Sequence, residues 1–181
     1  MGVFHIFQVH IPNPRKIMQN SLMKLSPRAV ITLTSPIGPI TLIAQGEKLI
    51  RVELGTKAKP EGSAKVLETA RKQFEEYFAG KLSRFSLPIE VSGTDFQKAV
   101  WKEIAKLSAG KTLSYGEIAA KLGKPLASRA VGAAVGANPT PLVVGCHRVL
   151  GSSGKITGFT GGNGIKTKAW LLRHEKIEFR A

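Results

Sequence analysis

Cys146 is the only cysteine among 181 residues, and it lies in Gly145-Cys146-His147-Arg148-Val149. A single thiol has no disulfide partner within its own chain. It also falls short of the cysteine set of a zinc finger or ribbon. The neighbours suit nucleophilic chemistry: His147 can accept a proton, and Arg148 adds positive charge that favours thiolate over thiol. The plainer alternative is a small buried hydrophobe, because free cysteine is among the most buried residue types. A carboxylate completes the set. Glu175 falls at the edge of a helical apolar stripe, where it needs a partner. If that partner is one imidazole nitrogen of His147, the tautomer is fixed and the other nitrogen can take the thiol proton. Spacing alone slightly favours a solvent-facing Glu175.

The elements that must position these groups are legible in outline. Residues 29–34, 40–44 and 49–54 are apolar or β-branched runs separated by short turns, which predicts a small antiparallel meander. A helix follows over 64–79, with Val66, Leu67, Ala70, Phe74, Tyr77 and Phe78 on one face. Sheet plus helix make a compact first domain that carries no chemical constellation of its own. An extended stretch, 85–91, leads out of it. The rest is mostly helical. Thr94 with Gln97 and Ser114 with Glu117 form capping boxes for helices over 95–107 and 115–122. Pro125 is expected to open a third helix that ends at Gly136, before Asn138-Pro139. The pair joined by Gly123-Lys124-Pro125 reads as a helix-turn-helix. Its second helix is nearly all small residues, with Arg129 its only charge. One long cation on a smooth helix suits insertion into a DNA groove; tight helix packing explains the small residues equally well. Within 138–150 an apolar, β-like run that ends in a Gly then delivers Cys146. A Gly/Ser/Thr-rich loop, 151–164, offers free backbone N–H groups but lacks the spacing of a P-loop. The last helix is expected over 165–176, with Ile165, Ala169, Leu172 and Lys176 along one side.

Charge narrows the partners. Lys plus Arg number 27 and Asp plus Glu 12, a net charge of +15. Between residues 104 and 174 the only acid is Glu117, among ten bases. Such a surface favours polyanions over acidic or neutral partners. No apolar run is long enough to span a bilayer. The N-terminus does not fit a secretory signal, because His5, Gln8 and His10 break its apolar patch and its basic residues come after it. A cytoplasmic location is expected, where a lone thiol stays reduced. Residues 1–26 read as a poorly ordered arm, with Met18 and Met23 as alternative starts. Domains are expected at 27–91 and 92–181, an α+β fold with a mostly helical second half.

Assembled, these motifs closely resemble the O6-alkylguanine-DNA alkyltransferases. The family carries Pro-Cys-His-Arg-Val where this chain has Gly145-Cys146-His147-Arg148-Val149. The likeness runs from about Thr94 to Glu175. It takes in Ser114-Tyr115-Gly116-Glu117-Ile118-Ala119, Arg129-Ala130-Val131-Gly132, Asn138-Pro139, Phe159-Thr160-Gly161-Gly162 and Trp170-Leu171-Leu172-Arg173-His174-Glu175. The first domain matches more loosely, and the cysteines of some members' zinc site are absent.

The resemblance implies a one-time transfer of the alkyl group from O6-alkylguanine, and also from O4-alkylthymine, in double-stranded DNA to Cys146. The protein would act as a monomer, without metal, cofactor or membrane. His147 and Glu175 would activate the thiol through a water. Tyr115 would donate toward the leaving base, and Asn138 would brace the turn. Arg129 would fill the space of the flipped guanine, with Ser128, Ala130, Gly132 and Thr160 also facing DNA. Val149, Phe159, Thr160 and Tyr115 would line the base pocket, with the Cys146 and Val149 carbonyls on the exocyclic amine and the Thr160 N–H facing O6. The main departure is Gly145 in place of proline, expected to loosen the segment before the nucleophile. Two extra residues lie between Gly162 and Trp170. The alternative reading is a non-catalytic alkyltransferase-like lesion-binding protein, which the retained cysteine disfavours.

Overall fold

A computed structural model describes residues 26–180, so the N-terminal arm read over 1–26 lies almost wholly outside the described residues. Three antiparallel strands come first: β1 (Arg28–Leu33), β2 (Ile40–Gln45) and β3 (Lys48–Leu54), in sheet order β1-β2-β3. Leu33 pairs with Ile40 and Gln45 with Lys48, so both connections are short hairpins. Helix α1 (Lys65–Phe78) covers one face of this sheet. Its buried residues, Val66, Leu67, Ala70, Phe74 and Tyr77, recur at helical spacing. They close on Ile40, Leu42, Ala44, Leu49 and Val52 to form the first core. Each large apolar side chain buried there stabilises the fold by about 1.5–3 kcal/mol. Residues 85–91 are extended but form only a single bridge, Ile89 to Leu49, beside β3.

Helix α2 (Asp95–Ala105) and helix α3 (Tyr115–Lys121) each begin with a complete capping box. Thr94 Oγ1 accepts from the Gln97 N–H at 3.2 Å, and Gln97 Oε1 accepts from the Thr94 N–H at 2.9 Å. Ser114 and Glu117 repeat the exchange at 3.1 and 2.7 Å. Helix α4 (Ser128–Gly136) starts three residues later than the expectation from Pro125. Residues 124–127 are instead a turn, closed by the Ala127 N–H on the Lys124 carbonyl. The turn leaves Leu126 fully exposed. Val131, Ala134 and Val135 of α4 pack against Val100, Trp101, Ile104, Ile118 and Ala119. Trp101 Nε1 donates to the Ala134 carbonyl at 2.8 Å, an approach that a larger residue face would obstruct. The small residues of α4 thus have a packing cause, and its other face remains exposed.

The run before and through Cys146 is not the strand its apolar pattern suggests. It bends at Leu142, which holds φ 69°, and passes into a single 3-10 turn, Cys146–Arg148. Only β5 (Val149–Leu150) is extended, pairing in parallel with β4 (Leu113–Ser114). The final helix α5 is Ile165–His174. Its buried residues are Thr167, Lys168, Leu171 and Leu172, whereas Ile165 and Lys176 are exposed, so the buried stripe is rotated from the expected one. The two halves interlock. Leu142 and Leu171 enter the first core. The Val52 N–H donates to the Pro139 carbonyl at 2.9 Å, and the Gly162 N–H to the Leu54 carbonyl at 3.2 Å. At that second crossing a Cβ on Gly55 would lie 3.1 Å from the Gly162 Cα, so the close approach needs glycine there.

Candidate active site

The 3-10 turn presents Cys146, His147 and Arg148 in succession, all of them buried. Cys146 is 5% exposed. It lines a cavity of about 910 Å³ whose wall also includes Tyr115, Ser128, Arg129, Gly132, Asn138 and residues 157–161. Burial pushes the Cys146 thiol up, against the Asn138 side chain and the Lys168 charge, which favour thiolate. The resting sulfur is therefore a protonated thiol, and a base must take its proton for attack.

His147, the next residue, is the candidate for that base. Its Nε2 lies 2.8 Å from Glu175 Oε1, and its side chain is fully buried. Burial depresses its proton affinity, outweighing the bond and charge of Glu175. In the neutral ring, Nε2–H donates to the carboxylate and Nδ1 carries a bare lone pair. Among the described residues Nδ1 is a buried polar atom with no hydrogen-bond partner. Such an atom costs about 1–3 kcal/mol if nothing meets it, so Nδ1 has room for one donor, which a water can supply.

Glu175 closes α5 in a Schellman turn: the Ile177 N–H reaches the Leu172 carbonyl, and the Lys176 N–H reaches that of Arg173. Lys176 holds φ 57° to make this possible. Burial works to raise the Glu175 pKa, but bonds from His147 and Arg148 outweigh it and hold the carboxyl well below the usual range. Arg148 is committed to this carboxylate, through Nε to Oε2 at 2.8 Å and Nη2 to Oε1 at 2.9 Å. Its Nη1 donates to the Leu107 carbonyl at 2.7 Å. The expectation that Arg148 favours the Cys146 thiolate is therefore corrected: its charge is spent on Glu175, and the cation acting on the thiol is Lys168.

Around the thiol, Asn138 Nδ2 donates to the Val144 carbonyl at 2.8 Å, and its Oδ1 accepts from the Thr140 N–H at 3.1 Å. Tyr115 and Thr157 share a hydroxyl–hydroxyl hydrogen bond of 2.9 Å, which joins α3 to the glycine-rich loop. Gly145 has φ −69°, the value a proline would impose, so it takes a proline-like conformation without the ring that would fix it. A Cβ there would lie 2.9–3.0 Å from the Arg148 side chain, so glycine gives Arg148 room to cross.

Two family models match in tandem: "6-O-methylguanine DNA methyltransferase, ribonuclease-like domain" over residues 30–91 and "6-O-methylguanine DNA methyltransferase, DNA binding domain" over 95–177. A Mycobacterium tuberculosis methylated-DNA–protein-cysteine methyltransferase is 44% identical over 153 residues, spanning 80% of this chain and 90% of its own. A Methanosarcina barkeri protein of the same name is 42% identical, spanning 82% and 97%. The chain belongs to this methyltransferase family. The crystal structure of the M. tuberculosis O6-methylguanine methyltransferase superposes with a TM-score of 0.74 at 42% identity, covering 83% of this chain and 93% of that one. The same enzyme in complex with DNA gives 0.73 at 43% identity, covering 81% and 92%.

Of the residues that the family resemblance singled out, Cys146, Tyr115, Asn138, Arg129, Ser128, Gly132, Phe159 and Thr160 meet on one cavity. His147 and Glu175 stand behind it, wholly buried. Val149 and Ala130 are not part of the wall: Val149 is fully buried, and Ala130 faces out beside it. The Val149 carbonyl, expected on the base amine, accepts from Lys168 Nζ at 2.7 Å and keeps one lone pair for another donor. Five contributors went unread in the sequence. Lys168 is fully buried, and burial pushes its pKa down to about 8. Its signal was available, since it lies three and four residues before Leu171 and Leu172, on their stripe. Tyr77 donates to Glu175, and Arg51, Glu53 and Thr56 line the cavity from the first half. That half therefore does carry part of the site, contrary to the sequence expectation.

Proposed function

We propose that this protein repairs DNA directly, by moving the alkyl group of O6-alkylguanine, and also of O4-alkylthymine, onto Cys146 once per molecule. The observation that carries the reading is the position of the thiol. It opens onto the cavity lined by the Arg129 helix, while Nδ1 of its neighbour His147 has no partner among the described residues and can accept a further donor.

The base must leave the duplex to reach a buried sulfur, which costs a few kcal/mol. Arg129, exposed on α4, takes the vacated place in the stack, with Ser128 and Gly132 against the backbone. Phe159 packs on the base. The Cys146 proton passes through a bridging water to His147 Nδ1, and the resulting imidazolium is stabilised by Glu175. Sγ then attacks the alkyl carbon, forming the S–C bond as the C–O6 bond breaks, and the electron pair returns to the guanine. Tyr115 donates to the leaving base as charge develops there. The thioether has no route back to thiol, so each molecule acts once, as a monomer on double-stranded DNA. No step needs a metal or cofactor. A cytoplasmic location agrees with a DNA substrate and a reduced thiol. Among the described residues no helix is long and apolar enough to cross a membrane.

An oligonucleotide duplex carrying O6-methylguanine tests the reading. Mass spectrometry is expected to find one methyl group on Cys146 and none on the Cys146→Ala protein. A bound lesion with an unmodified thiol after long incubation would support the non-catalytic lesion-binding alternative.

A further inference from the structure

Helix α1 places a hydroxyl where its core needs only a ring. Tyr77 is 1% exposed. Its ring packs against Phe78, Phe85 and His174, with centroids 5.2–5.4 Å away. Phenylalanine would make the same contacts. The hydroxyl instead crosses to the other half of the molecule and donates to Glu175 Oε1 at 2.7 Å, 98 residues away. That oxygen also accepts from His147 Nε2 and Arg148 Nη2. Burial, followed by the Glu175 charge, pushes the phenol far up, so Tyr77 stays protonated and can only donate.

A carboxylate oxygen that meets three donors cannot rotate freely, and it shares its charge among them. The share that reaches His147 sets the basicity of the ring. We propose that Tyr77 is a positioning residue for alkyl transfer: its hydroxyl fixes the Glu175 carboxylate and draws on its charge, which keeps His147 neutral with Nδ1 ready for the Cys146 proton. The inference rests on the alkyl-transfer reading and deepens it by giving the first half of the chain a part in the proton path. Tyr77 itself exchanges no proton. The other groups facing this cluster are Arg148 from the 3-10 turn, Lys168 from α5 and the Cys146 thiol. His174 lies behind Tyr77 and donates from Nε2 to its backbone carbonyl at 2.8 Å.

Tyr77→Phe keeps the ring and removes the donor. Glu175 then offers more of its charge to His147, which holds its proton to higher pH. Two titrations read this out: the His147 imidazole by NMR, and the methyl-transfer rate against pH. In Tyr77→Phe the imidazole midpoint and the acid limb of the rate profile are both expected to rise, by about half a pH unit or more. Curves that superimpose on the wild type overturn the proposal. Phe74→Leu is the control, because it loosens the same helix without touching Glu175. It is expected to melt lower but keep the wild-type midpoint. An equal shift in Phe74→Leu would assign the effect to packing and also overturn the proposal. Failure of the repair reading itself is distinct: the wild type would then transfer no methyl at any pH, and the inference would fall with it.

Discussion

Among the described residues Glu175 gathers four side-chain hydrogen bonds, and its charge state couples stability to pH. Its folded pKa is depressed, so the stability it contributes is present above the unfolded carboxylate value of about 4.3 and is lost as pH falls from there toward the folded value. Glu175→Gln removes the charge but keeps the shape. At neutral pH it leaves Arg148 buried without its counter-charge and is expected to cost about 3–5 kcal/mol. Thermal melts from pH 7 to 3 should show a steep acid loss in the wild type and a shallower one in the variant; parallel curves would show that the pair contributes nothing. Gly145 poses the opposite question, of room instead of charge. Arg148 cannot easily move aside for a Cβ, because three of its nitrogens are bonded. Gly145→Ala is therefore expected to destabilise by about 1–3 kcal/mol through overpacking and to slow methyl transfer. An unchanged melting temperature together with an unchanged rate would show that Arg148 yields freely.

At the scale of elements, short-range patterns are legible in the sequence and long-range ones are not. Both capping boxes and α1 follow from local spacing, because a helix start depends on residues three apart. The strand expected before Cys146 fails for the converse reason. Its apolar side chains are buried by three different neighbours, so the alternation is not that of one pleated face. The parallel pairing of β4 with β5 joins residues 36 apart and leaves no local signature. In the site, Cys146, His147 and Glu175 could be named from motif and spacing, whereas Tyr77 could not, because a tyrosine on an apolar stripe reads as core. The end of α5 offers an element-level test. Lys176 occupies the left-handed position of the Schellman turn, at a cost that glycine would not bear. Lys176→Gly is expected to stabilise by about 0.5–1 kcal/mol while leaving Glu175 in place, measured by denaturant midpoint at pH 7. A loss of stability would mean that the lysine side chain contributes more than its backbone costs.

Across the whole molecule, both halves carry net positive charge, and the surface ion pairs of the described residues leave the helix-turn-helix out. Among the described residues four ion pairs lie on the surface, between Arg28 and Glu61, Lys48 and Glu90, Arg51 and Glu53, and Lys106 and Glu103. None involves the helix-turn-helix, where Lys121, Lys124 and Arg129 are exposed and Arg129 lines the cavity. Lys124 is held over the Phe96 ring at 5.7 Å, which orders the side chain without neutralising it. A net charge of +15 raises the local concentration of any polyanion, but only cations that meet phosphates release counterions. Each such contact contributes about −0.9 to the slope of log K against log salt. Three contacts from these residues therefore set a slope of about −3 or steeper for lesion-containing duplex. Lys121→Gln combined with Lys124→Gln should flatten it by about 2 and weaken binding alike for lesion and undamaged duplex. Fluorescence anisotropy from low to moderate salt measures both. If the slope keeps its wild-type value, the phosphates lie against another face, and α4 does not enter the groove as its exposed Arg129 suggests.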